Sequence, residues 1–521
     1  MSILKRIDTL SSQQSFTFSE IKLTQFYGVE LDDFAHEVAM LSLWLAEHQM
    51  NLEFYKAFGR TSPSLPLHDG GQIVHGNATR VNWEEVCPKN EGDEIYILGN
   101  PPYLGSSMQN KEQKADKDLI FKGVKNYKNL DYIACWFYIG AKYIQNMNAK
   151  FSFVSTNSIN QGEQVSMLWT NIFKLNLEIY FAHQSFKWQN NAKSNAAVIV
   201  VIIGLRHISN KPKYLYNDNI KHEVKNINAY LVNAENIIVP SRSKRLSNIP
   251  LMSYGCKFTD GGNLILSSDE KDVLLQKYPS SLKFIKKLVG SQELIKGFER
   301  WCLYIEDNDL NEAQNIPFIQ DRLQKVAEMR KKSKALSTVK RASIPHKYES
   351  ISYNKSTSIV IPRVSSERRK YIPIGYVDEN TVVLDSAQAI YDAEPWIFGV
   401  ISSLIHMVWM RTVAGRLKTD YRYSSALVYN TFPFPNISQK QKDEITELVF
   451  GILDEREYHS EKTLAQLYDP DKMPEGLRKA HHILDRAIEQ CYRPKPFESD
   501  EERLEYLFKM YEEMTSKATQ T

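Results

Sequence analysis

The hydrophobic positions of the chain change period along its length. Short apolar runs at Gln72–Gly76, Ile95–Leu98, Phe151–Thr156, Leu177–Ala182 and Ala196–Leu205 predict strands, because they are brief, β-branched or aromatic, and bounded by polar or glycine-bearing turns. Helical spacing separates them. Val38, Leu41, Leu45 and His48 follow a start that Asp32 or Asp33 caps, and Leu130–Ile144 reads as a buried helix opened by Asp131. The segment from Gln109 to Asp118 is charged and reads as a basic, glycine-poor loop.

From residue 206 to about 255 the periodicity weakens and Lys, Asn and Ser become frequent, which places a boundary near residue 250. Short strands and helices then mix as far as Phe432-Pro-Phe-Pro435, where the pattern turns helical over 440–457, 476–492 and 500–515. The division predicted is therefore 1–248, 249–435 and 436–521. The middle part contains a basic helix beginning at Asp321 that suits a phosphate backbone, and an Arg-rich strand around Ile361–Lys370. It also contains Gly415–Ser424, read as an extended segment with alternate polar side chains on one face.

Composition adds little to this picture. A net charge of +3, from 65 Lys+Arg against 62 Asp+Glu, does not mark a nucleic-acid binder in bulk, so local clusters must carry that signal. Five scattered cysteines without a C-x-x-C pair argue against a zinc site or a disulfide framework and fit a reducing cytoplasm. No signal peptide and no membrane-length apolar run are read, so neither membrane nor metal enters the expected chemistry.

The chemistry centres on Ile95-Tyr-Ile-Leu-Gly-Asn100-Pro101-Pro102-Tyr103. Two adjacent prolines cannot continue a sheet ladder, so the chain leaves the strand's carboxyl end as a stiff turn, where open α/β sheets hold ligands. The Asn100 side-chain carbonyl beside a backbone carbonyl offers two acceptors to an amino group. Tyr103 would stack on the ring carrying that amine, and in duplex DNA such a base must be flipped out. Glu30 closes a short strand ahead of a helix, an arrangement that suits a ribose and equally a turn-capping acid. Asn77 after the second strand fits an adenine edge or plain Gly-Asn turn chemistry. Phe186 or Trp188 is placed to close the second face of a flipped base, and the spacing does not choose between them.

Taken together these motifs resemble the gamma-type DNA amino-methyltransferases, and more closely the MmeI-like single-chain type IIG/IIL restriction–modification proteins. The wording that carries the resemblance is Phe26-Tyr-Gly-Val-Glu-Leu-Asp-Asp-Phe-Ala, Leu43-Trp-Leu-Ala-Glu-His-Gln-Met, Ser155-Thr-Asn-Ser-Ile-Asn-Gln-Gly-Glu-Gln, Ser365-Ser-Glu-Arg-Arg, Gly415-Arg-Leu and Tyr468-Asp-Pro-Asp-Lys-Met-Pro. It implies an α/β fold. A Rossmann-like class I methyltransferase domain would be followed by a mixed α+β target-recognition domain and a helical C-terminal region. It implies methyl transfer from S-adenosyl-L-methionine to the N6 amino group of adenine in a short asymmetric target. Glu30 and Asn77 would bind the cofactor, and Asn100, Pro101, Pro102 and Tyr103 the target. Lys418 and Asp420 would read a base pair, Lys to guanine and Asp to the paired cytosine, with Arg363 and Arg422 as further groove contacts. The implied target ends in adenine then guanine on the methylated strand.

One departure stands out. The family's glycine-rich loop of the type Asp-Pro-Ala-Cys-Gly-Ser-Gly, its nuclease motif and its helical spacer have no counterpart in the sequence. The resemblance therefore implies an N-terminally truncated chain whose methyltransferase domain lacks its first strand. An upstream-encoded polypeptide would supply that strand, or the chain would be an inactive DNA-recognition remnant or specificity module.

Overall fold

The computed structural model describes residues 21–59, 70–188, 198–217 and 220–520. Packing divides the chain into two compact units. The first runs to Thr156 and adds Met167–Phe186 and Val200–Tyr216; the second takes Asn157–Ser166, Lys187–Ile199 and everything from Asn217.

The first unit holds two sheets. In the smaller, β1 (Tyr27–Glu30) pairs in parallel with β2 (Gln72–His75), and the two are joined through helix α1 (Asp33–Phe58). Asp32 is the residue that caps α1, accepting from Ala35 N at 2.9 Å. The larger sheet has six strands, of which the first five in order are β3 (Glu94–Gly99), β4 (Asn148–Thr156), β6 (Ile199–His207), β5 (Leu177–Lys187) and β7 (Lys213–Asn217). Among the described residues β3 is therefore an edge strand, parallel to β4 with Gly99 opposite Phe153. The strand predicted from Ala196 begins at Ile199, and residues 196 and 197 lie outside the described residues, as do residues 1–20.

Two helices pack near the end of β3. Helix α2 (Lys111–Ile120) occupies the stretch read as a loop, capped by Asn110 and Gln113 in a reciprocal box. Helix α3 (Ala134–Tyr143) is the buried helix predicted there, and Asp131 lies before it rather than at its cap. A Cβ on Gly140 would stand 3.4 Å from the Phe151 and Phe153 rings, and Phe137 meets Phe153 and Trp169 with ring centres 5.5 and 6.0 Å apart. This aromatic core fixes the strands that carry the site.

The apolar face of α1 is not part of that core. Phe34, Val38, Leu41 and Leu45, at helical spacing on one face, are 77%, 42%, 52% and 52% exposed. On β3, Tyr96 and Leu98 are likewise exposed.

In the second unit one four-stranded sheet is built from Met252–Tyr254, Ser358–Pro362, Gly375–Val377 and Ala387–Tyr391, and another from Ile265–Leu266, Ile285–Val289, Trp301–Leu303 and Thr381–Val383. Helix α4 (Pro317–Lys331) packs on the latter through Ile319, Leu323 and Val326. A hairpin of β8 (Gly415–Leu417) and β9 (Asp420–Arg422) pairs with Val364–Ser365. Helices α5 (Gln439–Glu457), α6 (Glu475–Tyr492) and α7 (Asp500–Gln520) close the chain close to the predicted bounds. They are tied by polar contacts to the segment that leads into the strand Gly375–Val377. Tyr371 Oη donates to Asp485 at 2.6 Å, and Arg456 donates to the Ile374 carbonyl at 2.8 Å. Burial pushes the Asp485 carboxyl up to about 6.

All five cysteines are unpaired thiols. Among the described residues no single helix is long and apolar enough to cross a membrane. One bent pair, Pro395–Ser402 and Leu404–Val413, has the length and composition to do so, but most of its side chains are core.

Candidate nucleotide and amine site

β3 delivers its last residue close against β4. A Cβ on Gly99 would stand 3.3 Å from the Phe153 ring, so glycine permits this approach and sets where the next residues emerge. Pro101 is then buried and Tyr103 half-buried. Asn100 is exposed, and its side chain makes no hydrogen bond among the described residues. An unsatisfied amide on a rigid turn is available to an incoming amine.

The turn is held by its next residue. Leu104 N–H donates to Asp131 Oδ1 at 2.8 Å, and the Leu104 carbonyl accepts from Gln109 Nε2 at 2.7 Å and from the Tyr132 N–H at 3.0 Å. Gln109 and Asp131 are buried. Lys117, fully buried on α2, donates to the Lys128 and Leu130 carbonyls, both at 2.9 Å, and burial lowers its amine below the ordinary lysine range. Of these supporting residues only Asp131 stands out in the sequence, and there as a helix start rather than a clamp.

Glu30 and Asn77 lie at the carboxyl ends of neighbouring parallel strands, since Gly76 N donates to the Glu30 carbonyl at 2.8 Å. Glu30 Oε1 accepts from its own turn, from Leu31 N at 3.0 Å and Asp32 N at 3.5 Å. Its other carboxylate oxygen carries no partner among these bonds, and the residue is half-buried. Asn77 is more committed. Its amide oxygen accepts from Thr79 N at 2.9 Å and Thr79 Oγ1 at 2.7 Å, while Nδ2 donates to Asp116 at 3.4 Å. Both lone pairs of that oxygen are therefore in use, and the remaining valence is one N–H.

Asp116 is 3% exposed and also accepts from Arg80 Nε at 2.7 Å and Tyr132 Oη at 2.6 Å. Burial alone would raise this carboxyl. The hydrogen bonds from Tyr132 and Arg80 outweigh it and hold Asp116 below the usual carboxylate range.

The aromatic residues read as a turn divide differently. Phe186 lies on β5 itself, with the His183 ring 6.4 Å away, because β5 runs on to Lys187. Trp188 follows the strand, and its backbone N–H donates to the Val198 carbonyl at 2.8 Å. Residues 190 and 191 of that stretch lie outside the described residues.

In the second unit, Gly415–Ser424 is not one extended face. Lys418 takes a left-handed backbone (φ 58) and turns the chain, so Leu417 pairs with Asp420 and Gly415 with Arg422. Lys418 is the exposed tip, Asp420 is half-buried at the start of the return strand, and Arg422 is exposed on it. Arg416 stiffens the hairpin by stacking 3.9 Å over Tyr421 and donating to the Thr419 carbonyl at 2.9 Å. Arg363 is half-buried, stacked over Tyr254 at 4.9 Å and bonded to the Asp385 carbonyl at 2.7 Å. The basic helix α4 is less free than its sequence suggests. Arg330 is 1% exposed and donates to the carbonyls of Phe258, Thr259, Arg341, Ile344 and Lys347.

Three family models match in sequence order: the MmeI DNA-methyltransferase domain over residues 1–217, the MmeI target recognition domain over 233–436, and the MmeI C-terminal domain over 437–519. The structure superposes on the type IIL restriction-modification enzyme MmeI, solved in complex with DNA. The TM-score is 0.85 at 40% identity, covering 96% of this chain and 67% of that one. The chain belongs to the MmeI family.

A second relative is DNA methyltransferase A of Bacillus subtilis (strain 168), 49% identical over 519 residues. The match takes in 99% of this chain and 59% of that relative's length. The MmeI-family order of a methyltransferase domain, a target-recognition domain and a helical C-terminal domain is the fold class expected from the sequence. Within that frame Asn100, Asn77 and Glu30 lie in the methyltransferase match, and Arg363, Lys418, Asp420 and Arg422 in the target-recognition match. What sequence reasoning missed were Asp116, Gln109 and Tyr132, and the clamping role of Asp131, which the sequence marks only as a helix start. Asp116 lies inward on α2, while Gln109, Asp131 and Tyr132 stand on the segments leading into α2 and α3, where no periodicity marks them.

Proposed function

We propose that this chain provides the adenine-binding and target-reading parts of a site-specific DNA methyltransferase that uses S-adenosyl-L-methionine and acts within a restriction–modification system. The observation that carries this reading is the exposed, unpartnered Asn100 amide on a Pro-Pro turn clamped at Leu104. Two acceptors there, the Asn100 side-chain oxygen and the Pro101 carbonyl, would take the two hydrogens of an adenine amino group and leave the nitrogen lone pair free. Pro102 stiffens the turn and Tyr103 supplies the stacking face; Phe186 or Trp188 would supply the other.

S-adenosyl-L-methionine, when bound, supplies an electrophilic methyl on a sulfonium. Glu30 fits its ribose, with one carboxylate oxygen still open to hydroxyl donors. For the cofactor's adenine the assignment of Asn77 changes sense: its oxygen is taken by Thr79, so the side chain would donate its remaining N–H to a ring nitrogen rather than accept from the amino group. The residues present fit the ribose and adenine portions. Orientation and exclusion of water at the turn would supply the rate. The hairpin tip, with Lys418 to guanine and Asp420 to the paired cytosine, would read the base pair beside the flipped adenine, and Arg363 and Arg422 would add contacts along the groove. The unpaired thiols suit a reducing cytoplasm, where we place the protein.

A second reading rests on the exposed stripe of α1 and the open edges of β1 and β3, each of which pairs on one side only among the described residues. In it, the chain is a recognition module that becomes active when another polypeptide adds a strand and a glycine-rich loop. The deciding experiment is methylation of a duplex library by the chain alone and with such a polypeptide added, alongside calorimetric titration with S-adenosylhomocysteine. Transfer to adenine in either arm, abolished in Asn100→Ala, is the expected result. Good folding with no transfer in both arms would sink the enzymatic reading, and silent titration with site-selective duplex binding would establish the recognition module.

A further inference from the structure

Asn77 and the Asn100–Tyr103 turn come from different sheets, yet one chain of hydrogen bonds joins them. From Asn77 Nδ2 it passes to Asp116 at 3.4 Å, and the same carboxylate oxygen accepts from Tyr132 Oη at 2.6 Å. The Tyr132 backbone N–H then meets the Leu104 carbonyl at 3.0 Å, one residue beyond Tyr103. Each link has a fixed sense. An ionised carboxylate only accepts, so Asn77 must present its amide nitrogen and Tyr132 its hydroxyl hydrogen. The carboxylate is anchored on its other oxygen by Arg80 at 2.7 Å, and Asp116 and Tyr132 are 3% and 4% exposed, so no water competes for them. A tyrosine ring is a rigid spacer, unlike a methylene chain.

We propose that Asp116 is a positioning residue that sets the separation between the cofactor side of the site, at Asn77, and the target side, at Asn100–Tyr103. The proposal rests on the methyltransferase reading and gives it a residue that no motif marks. Transfer between two bound reactants requires their reacting atoms about 3–3.5 Å apart, and a misplacement of about 1 Å costs on the order of a hundredfold in rate. A network that ties both half-sites to one buried carboxylate holds that tolerance; two independent loops on separate sheets would not.

The test begins with hydrogen–deuterium exchange on the full chain, comparing Asp116→Asn and Tyr132→Phe with the unsubstituted protein. Tyr132→Phe keeps the ring and the backbone donor, and so guards against a variant that fails to fold. The peptide covering 100–108 should exchange at least fivefold faster in both variants, while peptides from α5 and α6 stay unchanged. Unaltered exchange over 100–108 overturns the proposal, whether or not the chain turns over. In the methyl-transfer assay, Tyr132→Phe should lower kcat about tenfold with KM for S-adenosyl-L-methionine and for DNA within twofold. Faster exchange with an unchanged kcat would reduce Asp116 to a structural tie and overturn the positioning role. Failure of the methyltransferase reading shows separately, as absence of transfer and of S-adenosylhomocysteine binding in the unsubstituted protein.

Discussion

At the scale of single residues, the hairpin tip shows a conflict between stability and reading. Lys418 holds a left-handed backbone that side chains other than glycine adopt at a cost of roughly 1 kcal/mol. Glycine would relieve that strain, and its absence at this position is explained if the ammonium has work to do in a groove. The expected outcome for Lys418→Gly is a thermal midpoint equal to or above that of the parent chain. Discrimination at one base pair of the target should fall by about 1–3 kcal/mol, the usual worth of a specific base-edge contact. Competition binding against a library randomised at each position measures it. A uniform loss across all sequences would instead make Lys418 a phosphate contact, and an unchanged profile would remove it from recognition. Asp420→Ala should relax the same position, because the two residues are read as donor and acceptor for one pair.

Elements show where sequence reasoning was sufficient and where it stopped. The strands were legible because each is a short apolar run bounded by turn residues, although Gln72–His75 and β3 bury little of it, and the three C-terminal helices because each buries an apolar stripe. The turn Asn100–Tyr103 was legible because prolines constrain backbone by themselves. Helix α2 was not, since its inward positions are Asp116 and Lys117 rather than apolar residues, and a charged run reads as solvated surface unless its partners are known. Their partners, Arg80, Tyr132 and two backbone carbonyls, come from elsewhere in the fold. Helix α4 misleads in the same direction. Its cationic run suggests a phosphate contact, but Arg330 points inward and spends its guanidinium on five carbonyls. Arg330→Met would leave those acceptors unsatisfied and should cost more than about 3 kcal/mol, with Arg330→Lys only partly restoring it. Denaturant unfolding of the full chain checks this. A phosphate-binding residue would behave oppositely, leaving stability alone and reducing the salt slope of duplex binding by about one.

At the scale of the whole molecule, the informative feature is apolar surface that no other described residue covers. Phe34, Val38, Leu41 and Leu45 repeat at core spacing along α1, and periodicity of this kind arises where a helix face packs against something. The exposed Tyr96 and Leu98 on the edge strand β3 make the same demand, and an open strand edge invites another strand. If the cover is a polypeptide that pairs with these edges, charging the stripe should block its docking while leaving the rest of the chain intact. The double substitution Leu41→Glu and Leu45→Glu replaces residues that are half-exposed, so stability should stay within about 1 kcal/mol of the parent. Duplex binding through the Lys418 hairpin should be retained, because the substitutions lie outside the target-recognition match. Methyl transfer restored by an added polypeptide should fall at least tenfold, and co-sedimentation of the two chains should disappear with it. Restoration equal to that of the parent chain would show that α1 does not receive the partner, and would return the stripe to an ordinary exposed surface.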